Sequence, residues 1–159
     1  PTAPENQYNH QNVASYAKEL RDNGVSVHIG AHGQREGLAA HWELWIMEQG
    51  GFTPWEALRG GTIDGAKHLG MGKDLGSIEK GKLADLVVID GDVLSDIRKS
   101  EYVEYTVLNG RVYESATMNE VGSKEKREPF FFEQDNATFM PQQTADEVEA
   151  KAHHYHWEH

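Results

Sequence analysis

At 159 residues the chain has the length of one ordinary domain and is too short for a complete (β/α) barrel, which needs roughly 250. A formal net charge of −11, from 26 acids against 15 Lys and Arg, repels phosphate backbones and speaks against nucleic-acid binding. Cysteine is absent, which removes disulfides and thiolate chemistry, and no apolar run approaches the ~20 residues of a membrane span.

The chain begins at Pro1 rather than Met, with no signal-peptide pattern, and this hints at processing or a truncated reading frame. Residues 1–9 are polar and read as a loop. Residues 10–22 place Val13, Tyr16, Ala17 and Leu20 on one apolar stripe, the pattern of an amphipathic helix. Asn23-Gly24 is a helix stop. Residues 25–30 (VSVHIG) read as a short β-branched strand, so the chain opens as an αβ unit. Residues 31–37 form a loop with two glycines. Residues 38–49 read as a mostly buried helix ended by Gly50-Gly51. Thr53, Pro54 and Glu56 form a capping box with proline at the first helical position, predicting a helix to about Arg59. Gly60-Gly61 breaks it, and Thr62 starts a further helix through Leu69.

From Gly72 the period changes. Ser77-Ile78 reads as a short strand, residues 79–82 as a turn, and residues 86–89 as an apolar strand. Residues 102–108 form another strand, Asn109-Gly110 a hairpin turn, and residues 111–113 the returning strand. Residues 123–128 are a charged loop. Pro129 and the run Phe130-Phe131-Phe132 need something to pack on, and residues 144–152 suit a short helix.

Thr53, Pro54, Glu56, Ala57, Leu58, Thr62, Ala66, Leu69 and Gly70 stand in order, followed by Leu75, Gly76, Ser77, Ile78, Gly81, Lys82, Ala84, Asp85, Leu86, Val87, Val88 and Asp90. This succession resembles the junction between the last barrel helices and the small β-domain of metal-dependent amidohydrolases. The hairpin at Gly110-Arg111 is similar to the closing hairpin of the same family. The stretch GAHGQREGLAAHWEL resembles an imidazolonepropionase- and prolidase-like branch, whose members often carry an N-terminal propeller-type domain related to TolB.

The resemblance implies an α/β plus β fold: the last strand and helices of an incomplete (β/α) barrel, then the C-terminal part of a small composite β-sandwich. Its implied boundaries are residues 1–71 for the barrel end, 72–118 for the sandwich portion, and 119–159 for an extended tail with a short helix. It implies a parent that hydrolyses amide, cyclic amide or dipeptide bonds in a small-molecule or peptide substrate by water activated on a divalent metal, with zinc the first choice.

In the family the last barrel strand usually ends in an Asp that ligates metal and takes the proton of the hydrolytic water. Here the matching stretch is Gly30-Ala31-His32. Active sites of barrels lie at the C-terminal ends of the strands. His32 is therefore the candidate catalytic residue and metal ligand, with a loop histidine that shapes the pocket as the other reading. Gln34 and Arg35, in the strand-end loop, are candidate substrate contacts, Arg35 as a bidentate clamp or a solvated charge. His28 alternates with His32 on one strand face and is a candidate supporting residue or a hydrogen-bonded core histidine. His41, which shares a helix face with Trp45, is either a supporting residue or a packing one. Asp85 and Glu56 read as structural, a turn residue and a cap.

The tail carries His153, His154, His156 and His159, side chains suited to Zn, Ni or Cu, or simply a mobile end. No His-x-His pair stands at a strand end, and a catalytic zinc typically takes about three protein ligands. The chain alone is therefore expected to be inactive. Two other readings stand beside this one. The first is a non-catalytic α/β module that self-associates as a homo-oligomer through the open edge of residues 25–30. The second is a metal binder using the tail histidines.

Overall fold

A computed structural model describes residue 4, residues 9–32 and residues 37–125. These lie in one compact unit, Pro1–Lys126. Its elements in chain order are α1 (Asn9–Asp22), α2 (Leu38–Gln49), α3 (Pro54–Gly60), α4 (Ile63–His68), β1 (Leu86–Ile89), a 3₁₀ helix (Ile97–Glu101), β2 (Val103–Leu108) and β3 (Arg111–Glu114). The expected tail helix, the aromatic run and the loop residues Gln34 and Arg35 lie outside the described residues.

Three expectations need correction. The first is the apolar stripe of α1. Val13, Tyr16 and Leu20 are 66%, 67% and 52% exposed, while Ala14 is buried. The helix instead turns Ala14, Ala17, Lys18 and Arg21 inward, and the reason is close approach. A Cβ added to Gly50 would lie 2.4 Å from the Cβ of Ala14. Small residues on both sides let α1 press against the end of α2, and larger side chains are left on the outer face.

The second correction concerns residues 25–30, which belong to no strand. A strand needs a neighbour to complete its backbone ladder, and none of the described residues supplies one. The segment is tied to helices instead: Val25 N–H donates to Leu20 O at 3.0 Å and Ile29 N–H to Gly60 O at 3.4 Å. The third is Ser77-Ile78, which lies in irregular chain rather than a strand. There Lys82 Nζ donates to Gly72 O at 2.7 Å and to Ser77 Oγ at 2.6 Å, so a side chain organises the loop.

The remaining signals act as read. Thr53 Oγ1 accepts from Glu56 N–H at 3.2 Å and Thr53 N–H donates to Glu56 Oε2 at 2.8 Å, a complete capping box with Pro54 at the helix start. Asn109 and Gly110 both take positive φ, 50° and 81°, the backbone a two-residue hairpin turn needs. The sheet is antiparallel in the order β1-β2-β3, with Val87 opposite Thr106 and Val107 opposite Val112.

Leu44 and Met47 of α2, Phe52, Ala57 of α3 and Ile97 of the 3₁₀ helix form the core, with Val27, Ile29, Trp45 and Leu58 packed around it. Exposure of α2 is confined to one stripe, Leu38, Trp42 and Gln49, and the rest of the helix is buried or half-buried. Trp45 joins the helices to the second half of the unit. Its indole N–H reaches Ser100 Oγ at 3.1 Å and Ile97 O at 3.2 Å, and Arg98 lies over its ring.

Candidate functional site

His32 sits at the exposed end of the extended segment that follows α1. Val27 and Ile29 pack toward the core. His28, between them, is half-buried as well, while Gly30 and His32 are exposed.

The segment is held near its end by a side chain. Glu43, at the second turn of α2, accepts from Gly30 N–H through Oε2 at 2.6 Å. This contact lies two residues before His32. The sequence offered one weak signal for it, an acid set among the apolar residues of LAAHWELWIMEQ.

The other candidates separate. His28 is half-buried and its ring lies 4.2 Å from that of His68 at the end of α4, tilted by 44°. His41 points toward the 3₁₀ helix, its Nδ1 sharing a hydrogen bond of 3.1 Å with Ser100 Oγ, the hydroxyl that also accepts from Trp45. His28 thus lies against α4 and His41 against the 3₁₀ helix. Among the described residues no three His, Asp or Glu side chains converge in a way that would hold a metal ion. The described part of the chain therefore does not fit a metal by itself. Gln34 and Arg35, and the tail histidines 153, 154, 156 and 159, lie outside the described residues.

Two acids have structural partners. Asp85 Oδ1 accepts from Asn109 N–H at 2.7 Å and so fixes the hairpin turn. Asp64, missed in the sequence, is buried against two guanidinium groups. Arg59 donates to both of its oxygens and Arg21 Nη1 to Oδ2 at 3.3 Å. Burial pushes the Asp64 carboxyl up, but the hydrogen bonds from Arg59 and Arg21 outweigh it and hold the group below the usual carboxylate range.

A groove of about 860 Å³ opens elsewhere, lined by Trp55, Arg59, Lys67, Lys73, Ile78 and Lys82 among others. It includes none of His28, His32 and His41. Two of its cations are already engaged, Arg59 by Asp64 and Lys82 by Gly72 O and Ser77 Oγ.

Comparison with known proteins places this arrangement. The amidohydrolase family profile matches residues 2–113. A 5-methylthioadenosine/S-adenosylhomocysteine deaminase of Thermoanaerobacter pseudethanolicus is 38% identical over 69 residues, covering 36% of this chain and 16% of its own. A Xaa-Pro dipeptidase crystallised with methionine in its active site superposes with a TM-score of 0.60 and 30% identity, over 65% of this chain and 26% of the dipeptidase. A putative prolidase from Bifidobacterium longum gives a TM-score of 0.53 and 26% identity, over 73% and 28% of the two chains. The chain spans between about a sixth and about a quarter of the length of these proteins. The profile match over most of the chain, together with structural neighbours that are prolidases and amidohydrolases, shows that the chain belongs to the amidohydrolase family and is similar to its prolidase-like branch.

Proposed function

We propose that this chain forms the C-terminal part of a metal-dependent hydrolase of carbon–nitrogen bonds in amides, cyclic amides or dipeptides. The observation that carries the reading is the superposition on about a quarter of a Xaa-Pro dipeptidase, over 65% of this chain. In this reading residues 1–71 are the end of the barrel, with residues 25–30 its last strand. Residues 72–118 are the C-terminal share of a composite β-sandwich.

His32 is the residue the chain contributes to the catalytic centre, as metal ligand or acid–base group. His28 and His41 support the strand end and its helix, and Gln34 and Arg35 contact substrate. The metal, zinc by family, draws its other ligands from preceding barrel strands. No metal site is assembled among the described residues, so no chemical step is assigned to this chain alone.

The test is a chimera in which this chain replaces the matching segment of the dipeptidase. Hydrolysis of an X-Pro dipeptide that is lost in His32→Ala supports the reading. A folded chimera whose activity is indifferent to His32→Ala removes His32 from the centre. The isolated chain is expected to show no hydrolysis with or without zinc. Turnover by the isolated chain that survives both His32→Ala and chelation would sink the reading.

The exposed face of α1 favours a second reading, a self-associating α/β module. Val13, Tyr16 and Leu20 are all more than half exposed, and residues 25–30 pair with no strand among the described residues. Sedimentation separates the two, since a monodisperse monomer counts against self-association.

A further inference from the structure

We infer that Glu43 is a positioning residue that fixes the direction in which His32 is presented. The inference rests on the reading of His32 given above.

Gly30 is the most pliable point between the core and His32. A Cβ added there would meet nothing within 4 Å, and its φ is not in the left-handed region. Neither packing nor a special backbone conformation therefore constrains it, and glycine has the widest conformational range of any residue. The last backbone tie before it, Ile29 N–H to Gly60 O, is long at 3.4 Å. The contact from Gly30 N–H to Glu43 Oε2 is 2.6 Å, a charge-assisted bond, which is the stronger kind. Glu43 is anchored in turn, because Leu44 and Met47 hold α2 in the core. A rigid helix thus grips the chain at its loosest residue, two positions before the candidate catalytic group. A misplacement of about 1 Å at such a group can cost about a hundredfold in rate.

The experiment is nuclear magnetic resonance on this chain, as wild type, Glu43→Ala and Glu43→Gln. Exchange of the Gly30 amide with solvent is expected to quicken about tenfold to a hundredfold in Glu43→Ala. Backbone order at Ala31 and His32 falls in Glu43→Ala and returns largely in Glu43→Gln, whose amide oxygen still accepts. An unchanged Trp45 indole signal shows that the fold is intact. A Gly30 amide that exchanges at the same rate in all three, or unchanged order at His32, overturns the inference. In an active dipeptidase chimera, Glu43→Ala is expected to lower kcat with little change in KM. If the active chimera ignores Glu43→Ala, the positioning role fails while the hydrolase reading stands. If Glu43 orders His32 in this chain and His32→Ala leaves the chimera's activity intact, the hydrolase role of His32 fails while the clamp stands.

Discussion

Arg59 grips Asp64 at both carboxylate oxygens, Nη2 to Oδ1 at 2.6 Å and Nε to Oδ2 at 3.2 Å. Arg21 adds a third donor from α1. One side chain at the start of α4 therefore ties together three helices. Removing its charge while keeping its shape leaves two guanidinium groups with weakened partners. Asp64→Asn is expected to destabilise the fold by about 1.5–3 kcal/mol, the range for hydrogen bonds to charged groups. Urea denaturation followed by Trp fluorescence measures it. An unchanged midpoint means the network is ornamental at the surface rather than structural.

The same network sets the response to acid. Asp64 is held below the usual carboxylate range by Arg59 and Arg21 against the opposing effect of burial. Glu56 is held low first by the Thr53 N–H that donates to it, with burial opposing and the Thr53 hydroxyl and Lys18 adding to the effect. In both cases the unfolded chain takes up protons at a higher pH than the folded one. The stabilisation is therefore complete above the unfolded values, near about pH 4, and is lost as pH falls through the lower folded values. Thermal melts are expected to be flat from neutral pH down to about 5 and to drop below about 4. In Asp64→Asn the acid limb should be shallower. A limb of equal slope in both proteins would place the acid sensitivity elsewhere.

Ile97 is fully buried at the meeting of α2 and the 3₁₀ helix. Its carbonyl also accepts from the Trp45 indole. Truncation to Ala removes three carbons from the core and is expected to cost about 2–5 kcal/mol. The Trp fluorescence spectrum should shift at the same time, since the indole loses part of its cover. Stability loss below about 0.5 kcal/mol, within the range of surface substitutions, would mean that the β-containing half is not docked through this residue.

Local signals proved the legible part of this chain. Thr53, Pro54 and Glu56 specify a helix start through bonds made within four residues, and Asn109-Gly110 specifies a turn through its own backbone. Residues 25–30 and 77–78 form no strand among the described residues, because strand pattern alone does not create a strand, which needs a partner that the described residues do not supply. The apolar stripe of α1 marks a face by its periodicity, while a close Ala14–Gly50 approach decides which face turns inward. For the candidate site the sequence offers a position, His32, as a proposal, and no geometry around it. Glu43 and Asp64 act across 13 and 43 residues, and nothing in their own neighbourhoods announces those partners.

Asp85 offers a test of the difference between a family signature and a catalytic role. Its Oδ1 accepts from Asn109 N–H across 24 residues, so its place is the entry to β1 and the tip of the β2–β3 hairpin. Asp85→Ala is expected to lower stability by about 0.5–1.5 kcal/mol, the worth of an ordinary hydrogen bond. In the chimera it should leave kcat and KM unchanged at temperatures where the protein stays folded. A loss of kcat without loss of stability would move Asp85 out of this structural role.

The outer face of α1 sets the last prediction. Val13, Tyr16 and Leu20 repeat at helical spacing yet contribute nothing to the core. Apolar side chains at that spacing on a single helix face ordinarily mark the side that packs. In the hydrolase reading, preceding barrel elements cover this face. In the self-association reading, a second copy does. Both lead to the same expectation for the isolated monomer. Replacing all three by Ser should change its unfolding free energy by less than about 0.5 kcal/mol for each site, as at ordinary surface positions. The two readings part when the replacement is made in other settings. In the chimera the triple variant should lose several kcal/mol, because the face is then buried and each apolar side chain is worth about 1.5–3 kcal/mol. In the isolated chain it should dissociate any oligomer detected by sedimentation. A triple variant that is neutral in the chimera and leaves the sedimentation profile unchanged removes both covers, and with them the argument that this face is an interface at all.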